Sequence, residues 1–115
     1  MIGDMSCVFC QIATGEIPAT VVRESDRVVA FRDLNPVAPV HVLVIPREHY
    51  DNVLDLSGQP DLMAEVMQIA SQVARAEGLD GGFRVVFNTG ADGGQEVDHV
   101  HAHVLGGRQM KWPPG

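Results

Sequence analysis

Asp98-His99-Val100-His101-Ala102-His103-Val104-Leu105-Gly106-Gly107 is the stretch that decides how the rest of the chain is read. Three of the chain's five histidines stand in it, at every second position. Side chains two apart on an extended strand point to the same face. The histidines therefore share one face, and Val100, Ala102 and Val104 share the other. Neighbouring imidazoles on such a strand stand about 6.5–7 Å apart, a spacing that suits groups gripping different atoms of one ligand. A purely structural strand would place Thr, Val or Tyr at these positions. The plain alternative, three unrelated histidines on a solvated face, requires a scarce residue to alternate by chance.

Just upstream, Phe83-Arg84-Val85-Val86-Phe87-Asn88 reads as another strand. Thr89-Gly90-Ala91-Asp92-Gly93-Gly94-Gln95 joins the two with three glycines in seven residues. Glycines let backbone N–H groups approach an anion closely; hairpin turns use the same residues, so the loop gains meaning from its place beside the histidines. Further upstream, Pro60 to Glu77 reads as a long amphipathic helix, with Leu62, Met63, Val66, Ile69, Ala70, Val73 and Ala74 on one stripe. Pro60 and Asp61 suit its first turn and Gly78 its end. His41-Val42-Leu43-Val44-Ile45-Pro46 is apolar on both faces and reads as a central strand, with His41 at its mouth. Arg47-Glu48-His49-Tyr50 reads as the start of a short helical turn. Asp33-Leu34-Asn35-Pro36-Val37-Ala38-Pro39 is a stiff connection, and Asp33 is the side chain it presents to a ligand; a turn carboxylate bonded to its own backbone is the other reading of Asp33. Thr20–Arg23 and Arg27–Phe31 read as a hairpin, and Phe9–Ala13 as a short helix.

The 115 residues fit one domain, 1–115. A hydrophobic fraction of 45% is too high for a disordered chain, and no apolar run is long enough to cross a bilayer. The first residues lack the basic and apolar parts of a signal peptide, so the cytoplasm is the expected compartment. A net charge of −7 argues against general nucleic-acid binding, although neutral donors and local dipoles can still hold a single phosphate. Cys7 and Cys10, the only cysteines, form Cys-x-x-Cys. That spacing reads as half a zinc site, as a redox pair or as two buried apolar thiols. Zinc would need two more ligands, for which His49 and His99 are candidates.

The triad, flanked by Gly-Gly-Gln-Glu-Val and Gly-Gly-Arg-Gln-Met, resembles the histidine-triad (HIT) superfamily. Ile17-Pro18-Ala19, Asp33 to Pro39, His41 to Pro46 and the closing Trp112-Pro113-Pro114-Gly115 look like its Hint branch, the purine nucleoside phosphoramidases. The resemblance implies an α+β protomer: a five-stranded antiparallel sheet with one long and one short helix. It implies a homodimer with a continuous ten-stranded sheet and a pocket for a purine nucleotide. His101 would be the nucleophile, forming a covalent nucleotidyl intermediate. His103 would hold a phosphate oxygen, and His41 would join the proton relay. Asp33 would bind the ribose hydroxyls and Asn88 the phosphate and leaving group. Phe31, Leu34 and Ile17 would line the base pocket, and Gly94, Gln95 and Glu96 would border the phosphate. Trp112 would reach toward the neighbouring protomer's site. No metal is needed for the chemistry; a structural zinc on Cys7, Cys10, His49 and His99 would tie the N-terminus to the sheet.

Cys7-x-x-Cys10 is absent from some Hint proteins, and the chain departs from the branch at three other places. Glu96 stands where some Hint proteins have a phosphate-contacting Ser, and an ionised carboxylate there turns away or meets the leaving amine. Asp98 replaces a common aromatic residue. Ala102 is smaller than the usual Leu or Met. Three other functions fit the same residues: a dinucleoside-polyphosphate hydrolase, a nucleotide-binding regulator or scaffold with incidental turnover, and a catalytic metal site on His99, His101 and His103. The last is geometrically poor, because the outer pair lies about 13 Å apart on a regular strand.

Overall fold

Which face of the sheet each residue takes follows from its parity in the chain. In the computed structural model, which describes residues 7–115, five strands form one antiparallel sheet: β1 (Val21–Glu24), β2 (Val28–Arg32), β3 (Val40–Pro46), β4 (Phe83–Val86) and β5 (Ala102–Gly106), in the order β1-β2-β3-β5-β4. Val28, Ala30, Val42, Val44, Ala102 and Val104 point to one face. There they pack in a single core with Leu62, Val66, Ile69, Ala70, Val73 and Ala74 of the long helix α3 (Pro60–Ala76). Val29, Phe31, Leu43 and Ile45 point to the other face, where Phe9 and Cys10 of the short helix α1 (Val8–Thr14) cover them together with Cys7. Central strand β3 is thus apolar on both faces because both are covered. Each fully buried Val or Leu contributes about 1.5–3 kcal/mol of burial free energy, which makes the α3 face the larger source of stability.

The helix ends follow from local chemistry. Pro60 occupies the first turn of α3, where its missing N–H costs nothing. Helix α1 starts at Cys7, whose sulfur accepts the Cys10 N–H at 3.3 Å, and stops at Gly15 in the left-handed conformation, φ 83°.

Three details differ from the sequence expectation. A third helix, α2 (Val53–Leu56), is present, capped by the Asn52 side chain accepting the Asp55 N–H; it buries Leu56 completely. Four residues hold too little periodic signal to be read from sequence. The helical turn expected at Arg47–Tyr50 does not form: that segment is bent, and the Arg47 side chain is held by the carbonyls of Ala13 and Ser25. Regular pairing of the histidine strand begins only at Ala102, so His99, in a bend, and His101 lie in the irregular segment that leads into β5.

Candidate active site

His41 and His103 are brought together by register. His41 pairs with Leu105, and Leu43 with His103, so the two histidines are diagonal neighbours on one face of adjacent strands. Their rings meet with Nε2 of His41 2.9 Å from Nδ1 of His103. His101 follows on the same side, its ring centroid 4.9 Å from that of His103.

The hydrogen bonds fix the protons. The Val37 N–H donates to Nδ1 of His41 at 3.1 Å, so the proton of neutral His41 sits on Nε2. That N–H donates to Nδ1 of His103, with Oδ2 of Asp33 3.4 Å away. The proton of His103 is therefore on its own Nε2. The ring of His101 is set the opposite way: Nδ1–H donates to the carbonyl of His99 at 2.8 Å, leaving Nε2 as a lone pair. Burial is the main cause holding His103 near pKa 4. It also lowers His41, against the opposing pull of Asp33. His41 and His103 are thus neutral at pH 7, and His103 keeps an N–H donor while the neighbouring His101 ring keeps a lone pair.

These three histidines line a cleft of about 370 Å³ with Asp33, Asn35, Val37, Val86, Asn88, Gly94, Glu96 and Leu105, a volume suited to a small ligand. Its glycine loop is closed by Asn88, whose amide donates to the Gly93 carbonyl at 2.7 Å. A Cβ on Gly93 would lie 2.2 Å from the Thr89 carbonyl oxygen, so only glycine fits there.

Of the residues expected to bind a nucleotide, Asp33, Asn88, Gly94 and Glu96 border the cleft. Ile17, Phe31, Leu34, Gln95 and Trp112 do not. Phe31 is buried against Phe9, and Leu34 and Trp112 are 93% and 83% exposed. The Gln95 amide is spent inside the loop, donating to the carbonyls of Asp51 and Val97 while its oxygen accepts the Gly90 N–H. Asp33 also makes the turn bond expected of a loop carboxylate, accepting the Asn35 N–H at 2.8 Å. Val37 was missed: its role lies in a backbone N–H, on which no side-chain pattern reports. Asn35, Val86 and Leu105 were missed as well, for they reach the cleft through strand pairing and loop path.

A second cluster lies behind the first. Nδ1 of His99 is 3.3 Å from the sulfur of Cys7 and 3.5 Å from that of Cys10, and Nδ1 of His49 is 3.4 Å from Cys10. A tetrahedral zinc with ordinary bond lengths puts its S and N ligands about 3.5 Å apart, so the four residues fit the ion. The outer partners fit too. The far nitrogen of His99 donates to the Pro46 carbonyl at 2.8 Å, and that of His49 to Asp51 at 2.8 Å, leaving both Nδ1 lone pairs for the metal. Asp51, the orienting carboxylate, was not anticipated. Among the described residues no metal-capable cluster holds His99, His101 and His103 together. Asp33, His41 and His103 do converge, but the Val37 N–H leaves a proton on the His41 nitrogen that a metal would need.

A family model described as the HIT domain matches residues 14–110. The chain belongs to the HIT domain family. Its HIT relatives include the 14 kDa zinc-binding protein of Zea mays, 47% identical over 97% of this chain and 90% of that protein. Adenylylsulfatase HINT1 of Arabidopsis thaliana is 47% identical over 97% of this chain and 78% of its own. Among solved structures, a HIT family hydrolase from Legionella pneumophila superposes with TM-score 0.92 at 52% identity, covering 96% of this chain and 100% of that one. A histidine triad nucleotide-binding protein from Candida albicans superposes with TM-score 0.82 at 30% identity, covering 94% and 83%. The HIT fold expected from sequence is thus the fold observed. No described helix is long and apolar enough to cross a membrane.

Proposed function

We propose that this HIT protein is a purine nucleotide hydrolase that cleaves nucleoside 5′-phosphoramidates through a nucleotidyl group carried on His101. One observation carries the reading: the His101 Nδ1–H is tied to the His99 carbonyl at 2.8 Å, which leaves Nε2 as a lone pair on a ring that lines the cleft. That lone pair attacks the α-phosphorus and forms an N–P bond. The P–N bond to the leaving group breaks, and its electron pair stays on the amine, which takes a proton from water at the open side beside Glu96. His103, an N–H donor at the same cleft, stabilises the phosphoryl oxygens as charge builds. Water then attacks phosphorus, the P–Nε2 bond breaks, its electron pair returns to His101, and the water's proton passes to solvent. The His41–His103 pair keeps the donor neutral and aimed.

Asn88 and the Gly94 turn border the phosphate in this reading, and Asp33 takes the ribose hydroxyls. Cys7, Cys10, His49 and His99 hold a structural zinc, in keeping with the zinc-binding names of relatives; the ion supplies cross-linking, not chemistry. Phe83, 43% exposed on edge strand β4, and exposed Trp112 support a homodimer. The Arabidopsis relative's name gives a second leaving group to assay, sulfate.

The test sets an adenosine 5′-phosphoramidate beside adenylyl sulfate and a dinucleoside polyphosphate. The phosphoramidate turns over fastest, and His101→Ala abolishes turnover while binding AMP within a few-fold of the unmodified protein. A His101→Ala protein with undiminished turnover contradicts the covalent route. Preference for the polyphosphate contradicts the substrate class.

A further inference from the structure

The cysteine–histidine cluster and the nucleophile share parts. His99 offers its Nδ1 to the cluster and its backbone carbonyl to His101. Its ring is fully buried and its far nitrogen is held by Pro46, so a metal that fixes the ring also fixes the peptide that orients His101. A second link runs through Phe9, which lies in sequence between Cys7 and Cys10. Its ring stands edge-on to His101, centroids 5.1 Å apart and planes at 86°, and touches His99 at 6.0 Å and Phe31 at 5.5 Å. Phe9 is buried, and the seven-residue helix that carries it is anchored by the two cysteines. So short a helix does not hold its shape alone.

We propose that Phe9 and His99 are positioning residues through which the bound metal sets the orientation and tautomer of His101. Metal occupancy then governs the rate of nucleotidyl transfer to His101, not the affinity for the nucleotide. The cluster does not line the cleft: Cys7, Cys10, His49 and His99 are absent from its wall. A misplacement of the nucleophile by about 1 Å can slow transfer by about a hundredfold. The proposal rests on His101 being the nucleophile.

Zinc-loaded protein, chelator-treated protein and zinc-loaded Phe9→Leu are compared in three measurements. These are single-turnover nucleotidylation of His101 from an adenosine 5′-phosphoramidate, AMP affinity by calorimetry, and the imidazole ¹⁵N spectrum of His101. In chelated and Phe9→Leu protein, the transfer rate falls at least about tenfold while AMP affinity stays within about threefold, and His101 loses its pure Nδ1–H signature. Equal transfer rates and an unchanged His101 spectrum overturn the proposal. So does a parallel loss of rate and AMP affinity, or loss of the melting transition in both altered proteins, since either makes the cluster a general folding staple. If zinc-loaded protein forms no nucleotidyl adduct, the function reading itself fails; the ¹⁵N spectrum still decides whether the metal sets the ring.

Discussion

At the residue scale, the site depends on which nitrogen of each ring keeps its proton. The Val37 N–H, 3.1 Å from His41, starts a chain of polarity that ends as a donor on His103. The His99 carbonyl imposes the reverse polarity on His101. The two rings therefore present opposite edges, an N–H on His103 and a lone pair on His101. Burial makes the arrangement robust and pH-sensitive at once. Folded His103 titrates near 4, against an ordinary value of 6.5. Between those values an unfolded chain binds a proton that the folded chain refuses. Stability therefore falls as pH drops from about 6.5 to about 4, and this residue's contribution is fully present above that window. Urea titrations at pH 7.5 and pH 5 check this: the unmodified protein loses more stability across the interval than His103→Gln does. Equal losses would show that the His103 ring is not held neutral by the fold.

At the scale of elements, parity and periodicity were legible in the sequence and local geometry was not. The apolar run of β3 gave a strand covered on both faces because its residues alternate between two cores. The α3 stripe was readable because seventeen residues repeat the helical period many times. Helix α2 was not readable, being four residues long and defined by the Asn52 cap. It matters nonetheless, since Leu56 is fully buried beneath it. Leu56→Ala destabilises the protein by about 2–5 kcal/mol in chemical denaturation and leaves kcat per folded molecule unchanged, because Leu56 lies in the core on the α3 face and not at the cleft. A loss under about 1 kcal/mol would mean that α2 closes over the gap. The glycine loop was legible as a turn, but its closure by Asn88 and the diversion of Gln95 into the loop required coordinates.

At the scale of the whole molecule, the histidines fall into two groups: His49 and His99 join the two cysteines in a cluster that fits a metal, and His41, His101 and His103 line the cleft. Both donor sets were legible beforehand, since Cys-x-x-Cys and alternating histidines are compact motifs. The sequence was silent on their joining through His99 and Phe9, which depends on strand register and the seating of α1. Zinc that binds the folded chain and not the unfolded one adds stability by mass action, about 4 kcal/mol at a free concentration a thousandfold above Kd. Chelation accordingly lowers Tm by more than about 10 °C, checked by calorimetry with and without a strong chelator; a Tm indifferent to chelator contradicts metal binding by this cluster. Covalent transfer to His101 is decided by quenching the protein during turnover of an adenosine 5′-phosphoramidate and mapping the adduct by mass spectrometry. One adenylyl group is expected on the His101 peptide, formed and lost at rates compatible with kcat. Turnover with no adduct, or an adduct on His99 or His103 instead, would contradict it.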